Sequence, residues 1–202
     1  MTRVTQAHID ARVGAIRNAA RTVFARRGIE GATMSEIAAE AGLSTGAIYR
    51  YFQGKDDLIA AAFAEGRERT RQAFEKARAT SGGMLEAIIE AGRLSLAEMM
   101  DHETVCLDLE CALGSARAGG AIGEQTRAFR EYTIDLVEGL VAAAQEAGEL
   151  PPELDARGLS IVLNALVLGL GLLELEMGGR VDAEETLALL VRLVATPRSG
   201  TA

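Results

Sequence analysis

Residues 44–52 carry side chains that suit contact with the bases of double-stranded DNA. The guanidinium of Arg50 can donate two hydrogen bonds to a guanine, and a small side chain such as Ala47 can touch a thymine methyl group. A glycine at position 46 lets the backbone approach a groove closely. The predicted base contacts are Thr45, Gly46, Ala47 and Arg50.

Hydroxyl groups and one ammonium group accompany these residues and match the phosphate oxygens of a DNA backbone. Lys55 stands at the predicted start of a helix, where free backbone N–H groups also favour an anion. Contacts of this kind fix the position of a protein on DNA but do not read its sequence. The predicted phosphate contacts are Thr33, Ser44, Tyr49, Tyr51 and Lys55.

A helix over residues 44–52 would have two chemically different sides. At about 100° per residue, Ile48 and Phe52 fall together, and we expect them to face a core. Gly46, Ala47 and Arg50 fall on the opposite side, which predicts a face that can enter a groove. The alternative is that these residues form only a short amphipathic connector with solvated tyrosines.

Three helices are predicted to position this segment. Apolar residues recur at helical spacing over residues 9–24 and predict a first helix that ends at Gly28. Thr33 and Glu36 have the spacing of a capping box and predict the start of a second helix, which Gly42 ends. Two short helices joined by a tight turn, after a supporting helix, describe a helix-turn-helix, whose second helix enters the major groove of DNA.

The composition favours an all-α protein, since the 202 residues include three prolines and no tryptophan. We predict about nine helices. The formal net charge of −8 is unevenly distributed, because residues 1–55 carry +4 and the remainder −12. A basic N-terminal segment followed by an acidic remainder fits a protein in which only the first segment contacts DNA. The predicted domains are a helix-turn-helix domain over residues 1–54 and a larger domain over 55–202.

Residues 31–58, GATMSEIAAEAGLSTGAIYRYFQGKDDL, strongly resemble the DNA-binding domain of TetR-family repressors. Ala20, Phe24 and Gly28 also fit the first helix of that family, so the resemblance covers roughly residues 10–60. It implies a homodimer that reads a palindromic operator. It also implies a ligand-binding and dimerisation domain after residue 54, in which a small-molecule effector shifts the long helix beginning at Lys55 and releases the DNA.

The segment 155–177 is apolar nearly all round and needs more partners than one side of a small bundle provides. Together with 182–195, which begins with a capping pattern at Asp182 and Glu185, it resembles the two helices that form the family's dimer interface. The alternative is a central core helix within a monomer. The predicted interface residues are Leu163, Leu166, Val167, Leu170, Leu187, Leu190, Val191 and Val194.

An effector pocket in such a bundle is lined mostly by apolar side chains that look like core. Asn164 is more informative, because an amide within an apolar helix needs a buried partner or a ligand. Glu110 could bind a cationic group. The predicted pocket residues are Phe63, Phe74, Met84, Ile88, Met99, Glu110, Phe129, Tyr132 and Asn164.

Two other functional classes are compatible with a helical chain of this size. A small helical enzyme is disfavoured, because His8 and His102 are the only histidines and neither has a neighbour at catalytic or metal-ligand spacing. We therefore expect no enzyme activity, no cofactor and no metal. The other class is a DNA-binding dimer without an effector. No secretion signal is evident, and the apolar stretch 159–173 is shorter than a membrane span. We expect a cytoplasmic protein that does not enter membranes.

Overall fold

The computed structural model describes residues 6–118, 120–178, 180, 182, 185–187 and 189. This part of the chain contains eight α-helices and no β-strand, which confirms the all-α fold class. The helices are α1 (Gln6–Gly31), α2 (Met34–Glu40), α3 (Thr45–Ile48), α4 (Lys55–Thr80), α5 (Met84–Met99), α6 (His102–Ala118), α7 (Gly120–Glu146) and α8 (Ala156–Met177). The further predicted segment, 182–195, lies largely outside the described residues.

The helices pack into two compact units that do not follow the order of the chain. The first unit contains the described residues up to Gly66 together with His102–Arg127, and the second contains Arg67–Asp101 and the described residues from Ala128 onwards. Helices α4 and α7 therefore contribute residues to both units. The predicted boundary after residue 54 separates a DNA-binding segment from the rest of the chain, and it stays a prediction.

Helix α1 supports the first unit through an apolar side that the sequence pattern predicted. Ile16, Ala20, Val23 and Phe24 are each at most 3 % exposed. The regular helix is interrupted at Gly28, whose φ of 71° and ψ of 163° lie in a region that only glycine adopts easily. The predicted end of the helix at Gly28 is thus where the backbone changes direction, with one short turn beyond it.

Helix α6 packs against α1 within the first unit. Glu110 accepts a hydrogen bond from the backbone N–H of Ile29 at 3.3 Å, directly after the turn at Gly28. Arg21 donates to the hydroxyl of Thr104 at 3.2 Å. Cys111 is buried in the same core as Phe24. These contacts make α6 part of the unit that holds the short helices α2 and α3.

The second unit has its own apolar core, which α4, α5, α7 and α8 share. Phe74, Ile88, Val141 and Leu163 are among its buried side chains. Helices α5 and α8 cross closely at Gly171, where an added Cβ would lie 3.0 Å from the Cβ of Met99. A larger residue at Gly171 would push the two helices apart.

Gly28→Ala should lower the free energy of unfolding by about 1–3 kcal/mol, because alanine is strained at this backbone conformation. The new Cβ would also lie 3.0 Å from the Glu110 carboxylate. Gly14→Ala is the matched control, since Gly14 lies in the same helix with nothing within 4 Å of an added Cβ. It should raise stability by up to about 1 kcal/mol through helix propensity. Urea denaturation measures both changes, and equal effects would contradict the assigned role of Gly28.

Candidate nucleic-acid interface and ligand cavity

Helix α2 begins with the predicted capping box. The Thr33 hydroxyl accepts from the Glu36 N–H at 3.2 Å, and the Glu36 carboxylate accepts from the Thr33 N–H at 3.0 Å. Both interactions satisfy N–H groups that the first turn of a helix leaves without partners. The start of α2 is therefore fixed by local sequence.

The turn between α2 and α3 is closed by backbone hydrogen bonds around Gly42. The N–H of Leu43 donates to the carbonyl of Ala38 at 2.8 Å, and the N–H of Gly42 donates to that of Ala39 at 3.0 Å. This is a Schellman arrangement, which needs a residue at positive φ, and Gly42 has a φ of 65°. The turn fixes the direction in which α3 leaves α2.

Helix α3 is shorter than predicted but keeps the predicted orientation. Regular helix covers Thr45–Ile48, and hydrogen-bonded turns continue to Phe52, whose N–H donates to the Ile48 carbonyl at 3.1 Å. Ile48 is 0 % exposed and Phe52 is 6 % exposed. The prediction that these two side chains face the core is confirmed.

The opposite side of α3 is open to solvent. Thr45, Gly46 and Arg50 are exposed, Ala47 is half-buried, and nothing lies within 4 Å of a Cβ added at Gly46. Among the residues that the structure describes, the Arg50 guanidinium has no hydrogen-bond or ion-pair partner. All four residues predicted to contact bases are thus at least partly accessible to solvent.

The five predicted phosphate contacts differ in their present partners. Thr33 and Ser44 are exposed caps of α2 and α3, and Tyr49 is 47 % exposed. Tyr51 is half-buried and packs on the core. The ammonium of Lys55 donates to the backbone carbonyls of residues 29 and 30, at 2.8 and 3.0 Å, so it ties the start of α4 to the end of α1.

Sequence reasoning missed Ser35. Its hydroxyl lies 3.3 Å from the hydroxyl of Thr45, and the contact links α2 to the exposed face of α3. Ser35 is itself exposed beside the residues predicted to touch DNA. The contact spans ten positions of the sequence, so no periodic pattern or capping signal indicates it.

The acidic residues of α2 are balanced by arginines of α1. Arg27 lies 3.7 Å from Glu36, and Arg26 forms an ion pair with Glu40. The pKa of Glu36 is lowered chiefly because the Thr33 hydroxyl donates to its carboxylate, with further contributions from the Thr33 N–H and the arginines. Glu36 is therefore ionised at neutral pH.

The second unit contains a partly open cavity of about 100 Å³ between α4, α5, α7 and α8. Five of the predicted pocket residues line it, namely Phe74, Ile88, Met99, Phe129 and Asn164.

The remaining four pocket candidates lie elsewhere. Phe63 packs on the core of the first unit, and Glu110 bonds to the turn at Gly28. Met84 packs on the core of the second unit, and Tyr132 is half-buried outside the cavity lining. No group of three or more His, Cys, Asp or Glu among the described residues could hold a metal ion.

The residues predicted for the dimer interface face inward where the structure describes them. Leu163, Leu170 and Leu187 are at most 6 % exposed and belong to the unit's own core, while Leu166 and Val167 are half-buried against it. Their place in a dimer interface stays a prediction. Leu190, Val191 and Val194 lie outside the described residues.

Helix α8 nevertheless presents an outer apolar face, which consists of Ile161, Val162, Ala165, Leu173 and Met177. Ile161 and Val162 are 49 % and 50 % exposed. By length and composition, α8 is the one described helix that could cross a membrane, with a mean hydropathy of 2.0. Its inner side, including Ser160 and Leu163, is buried in the second unit.

Comparison with known proteins gives concordant matches. Residues 16–62 match the family described as "Bacterial regulatory proteins, tetR family". An uncharacterised HTH-type transcriptional regulator of Bacillus subtilis, YfiR, is 40 % identical over 57 residues, which are 28 % of each chain. The HTH-type transcriptional repressor BepR of Brucella suis is 28 % identical over 159 residues, 77 % of this chain and 76 % of BepR.

A solved structure shares the fold over most of the chain. The transcriptional regulator FadR of Bacillus subtilis, in complex with stearoyl-CoA, superposes with a TM-score of 0.76 at 19 % identity. The match covers 91 % of this chain and 96 % of that protein. The likeness therefore extends beyond α1–α3 to the helices that surround the cavity.

Glu36→Gln should destabilise the protein at neutral pH and progressively less in acid. The folded-state pKa of Glu36 is below the ordinary value of 4.5, so its contribution is fully present above that pH and is lost as the pH falls through the lowered value. Urea denaturation of both proteins between pH 7 and pH 3 measures this difference.

The matched control is Glu153→Gln, at an exposed glutamate with no hydrogen bond or ion pair among the described residues. The difference in free energy of unfolding between Glu153→Gln and the wild type should not shrink in acid as it does for Glu36→Gln. A constant difference between wild type and Glu36→Gln across the pH range would contradict the capping role.

Proposed function

This chain belongs to the TetR family of bacterial transcriptional regulators, and we propose that it is a cytoplasmic, homodimeric repressor of a palindromic operator that a small molecule releases. The observation that carries the proposal is the open face of α3, opposite the buried Ile48 and Phe52. A short helix held in this way can enter the major groove of DNA.

The chemistry of that face supports sequence reading by Arg50. Its guanidinium is exposed, and a guanine edge offers two acceptors that its donors fit. Thr45, Gly46 and Ala47 are small enough to let the helix approach. The hydroxyls of Ser44, Tyr49 and Tyr51 would donate to phosphates, as would Lys55 through its remaining N–H group. The Thr33 hydroxyl would do so by giving up its bond to the Glu36 carboxylate.

Arg50→Ala should cost about 1–3 kcal/mol of operator binding and relax preference at one symmetric pair of base positions. Selection of bound sequences from a random DNA pool, with wild type and variant, measures this effect. Arg71→Ala removes the same charge from an exposed ion pair in the second unit and should leave selection unchanged. If Arg50→Ala instead weakens binding equally to all DNA sequences, Arg50 is a phosphate contact.

The outer face of α8 supports dimerisation. Its exposed side chains form an apolar stripe along a helix whose inner side is already used by the core, and such a stripe calls for a covering partner. A second copy of the chain presents the same apolar stripe and suits an isologous interface. Dimerisation would place two α3 helices to read half-sites about 34–36 Å apart.

The double variant Ile161→Glu, Val162→Glu should weaken self-association at least roughly tenfold, because it buries charge in the proposed interface. Sedimentation analysis measures the association. Leu113→Glu is the matched control, since Leu113 is a 47 % exposed leucine of α6 in the first unit, and it should leave association unchanged. Wild-type protein that is monomeric or recovered with membranes would contradict the proposal.

The cavity of the second unit supports regulation by a small molecule. It takes Thr70 and Phe74 from α4, the helix that begins at Lys55 in the first unit. A ligand that prefers the non-binding conformation by about 3 kcal/mol would weaken operator affinity about a hundredfold. FadR of Bacillus subtilis, which shares this fold, was solved in complex with stearoyl-CoA, and this is a further reason to propose an effector. Operator affinity that no bound ligand alters would favour an effector-free dimer.

A further inference from the structure

The cavity of the second unit has a polar end and an apolar end. Arg69 and Glu98 lie 3.7 Å apart, so the beginning of α4 within this unit lies beside the end of α5. Thr70 and Ser95 line the cavity near that pair.

The apolar end is built from the unit's main core. Phe74 follows Thr70 by one helical turn, and Ile88 precedes Ser95 by about two. Leu140 and Leu163 join Phe74 and Ile88 in one cluster of buried side chains. The hydroxyl groups of Thr70 and Ser95 thus lie one to two helical turns from this apolar cluster, while Met99 and Leu168 add apolar surface elsewhere in the wall.

The two hydroxyl groups at the polar end are available. Most helical serine and threonine hydroxyls find a carbonyl in the preceding turn, as those of Thr133 and Ser160 do in this unit. Within the described part of the chain, the hydroxyls of Thr70 and Ser95 have no hydrogen-bond partner. Each can therefore donate to and accept from a bound molecule.

Asn164 adds an acceptor to the same wall. Its amide nitrogen donates to the Ser160 carbonyl at 2.9 Å, one turn earlier in α8. Among the described residues no donor reaches its amide oxygen. A polar ligand group could satisfy that oxygen without disturbing the helix.

The charged residues of the cavity wall already have interactions. The wall contains one acidic and one basic residue, Glu98 and Arg130; Glu98 lies near Arg69, and Arg130 also has an interaction within the protein. A charged head group would lose its hydration without gaining a free counter-charge. The volume of about 100 Å³ is also modest. A closed apolar cavity on the order of 150 Å³ holds one benzene ring, so a ring with a small head group fits here because this cavity is partly open.

We infer that this cavity binds a small, uncharged amphipathic molecule, with a single ring or short alkyl group at the Phe74 end and a hydroxyl or amide at the Ser95 end. The inference rests on the proposed effector function and names the chemical class of its ligand. The head group exchanges hydrogen bonds with Ser95, Thr70 and Asn164, and the apolar group contacts the core cluster.

The test compares probes that share a phenyl ring and differ in head group, by NMR titration of the DNA-free wild-type protein. Benzyl alcohol should bind about three- to tenfold more tightly than toluene, which lacks the hydroxyl. Benzylamine and phenylacetate should bind more weakly than benzyl alcohol, because they carry a charge. Tighter binding of either charged probe, or of stearoyl-CoA, would overturn the assignment.

Ser95→Ala should reduce the preference for benzyl alcohol over toluene, with the remainder held by Thr70 and Asn164, and should leave the affinity for toluene unchanged. Ser81→Ala makes the same chemical change outside the cavity lining and should affect neither probe. Val167→Phe should fill the cavity and abolish binding of both, with helix content by circular dichroism as the check on folding. An unchanged preference for the alcohol in Ser95→Ala would overturn the proposed head-group site.

Operator release is measured separately, with the same probes added to the protein–DNA complex. Binding of benzyl alcohol with the expected dependence on Ser95, but without any change in operator affinity, would support the cavity chemistry and contradict the effector function. Release of the operator by a charged probe that binds in the cavity would overturn the ligand class and leave the effector function standing.

Discussion

The whole arrangement for DNA binding depends on the burial of Ile48 and Phe52. A regular helix of four residues is far too short to be stable alone, since helix formation has a costly nucleus. These two side chains supply the missing stability by packing into the first unit's core. Their burial also decides orientation, because it turns Arg50 and its small neighbours towards solvent.

Directional contacts hold the surroundings of that helix in place. Two side chains bond to the backbone just after Gly28. Glu110 of α6 accepts from the N–H of Ile29, and Lys55 of α4 donates to the carbonyls of residues 29 and 30. The end of α1 thus fixes α4 and α6 against the same backbone segment. This explains why α6, more than forty residues away in sequence from α4's start, packs in the first unit.

The predictable features were those that local rules determine. The Thr33 capping box, the Gly42 turn and the burial of Ile48 follow from residue types over a few positions. The side of α8 that faces the core could not be predicted in this way, because a helix that is apolar all round gives no periodic signal for which side meets the core. The places of Glu110 and Lys55 were also hidden, since their partners are backbone atoms of a distant turn.

The surroundings of α3 and the wall of the cavity differ in how far directional contacts fix their side chains. Around α3, Glu110 and Lys55 bond to specific backbone atoms, and displacing them would leave half-buried polar groups without partners. The wall of the cavity is mostly apolar, and the Ser95 hydroxyl has no hydrogen-bond partner among the described residues. Apolar contacts are non-directional and tolerate small shifts at low cost. Helix α3 is therefore held by directional contacts within its unit, while the wall of the cavity keeps hydroxyl groups that suit a ligand.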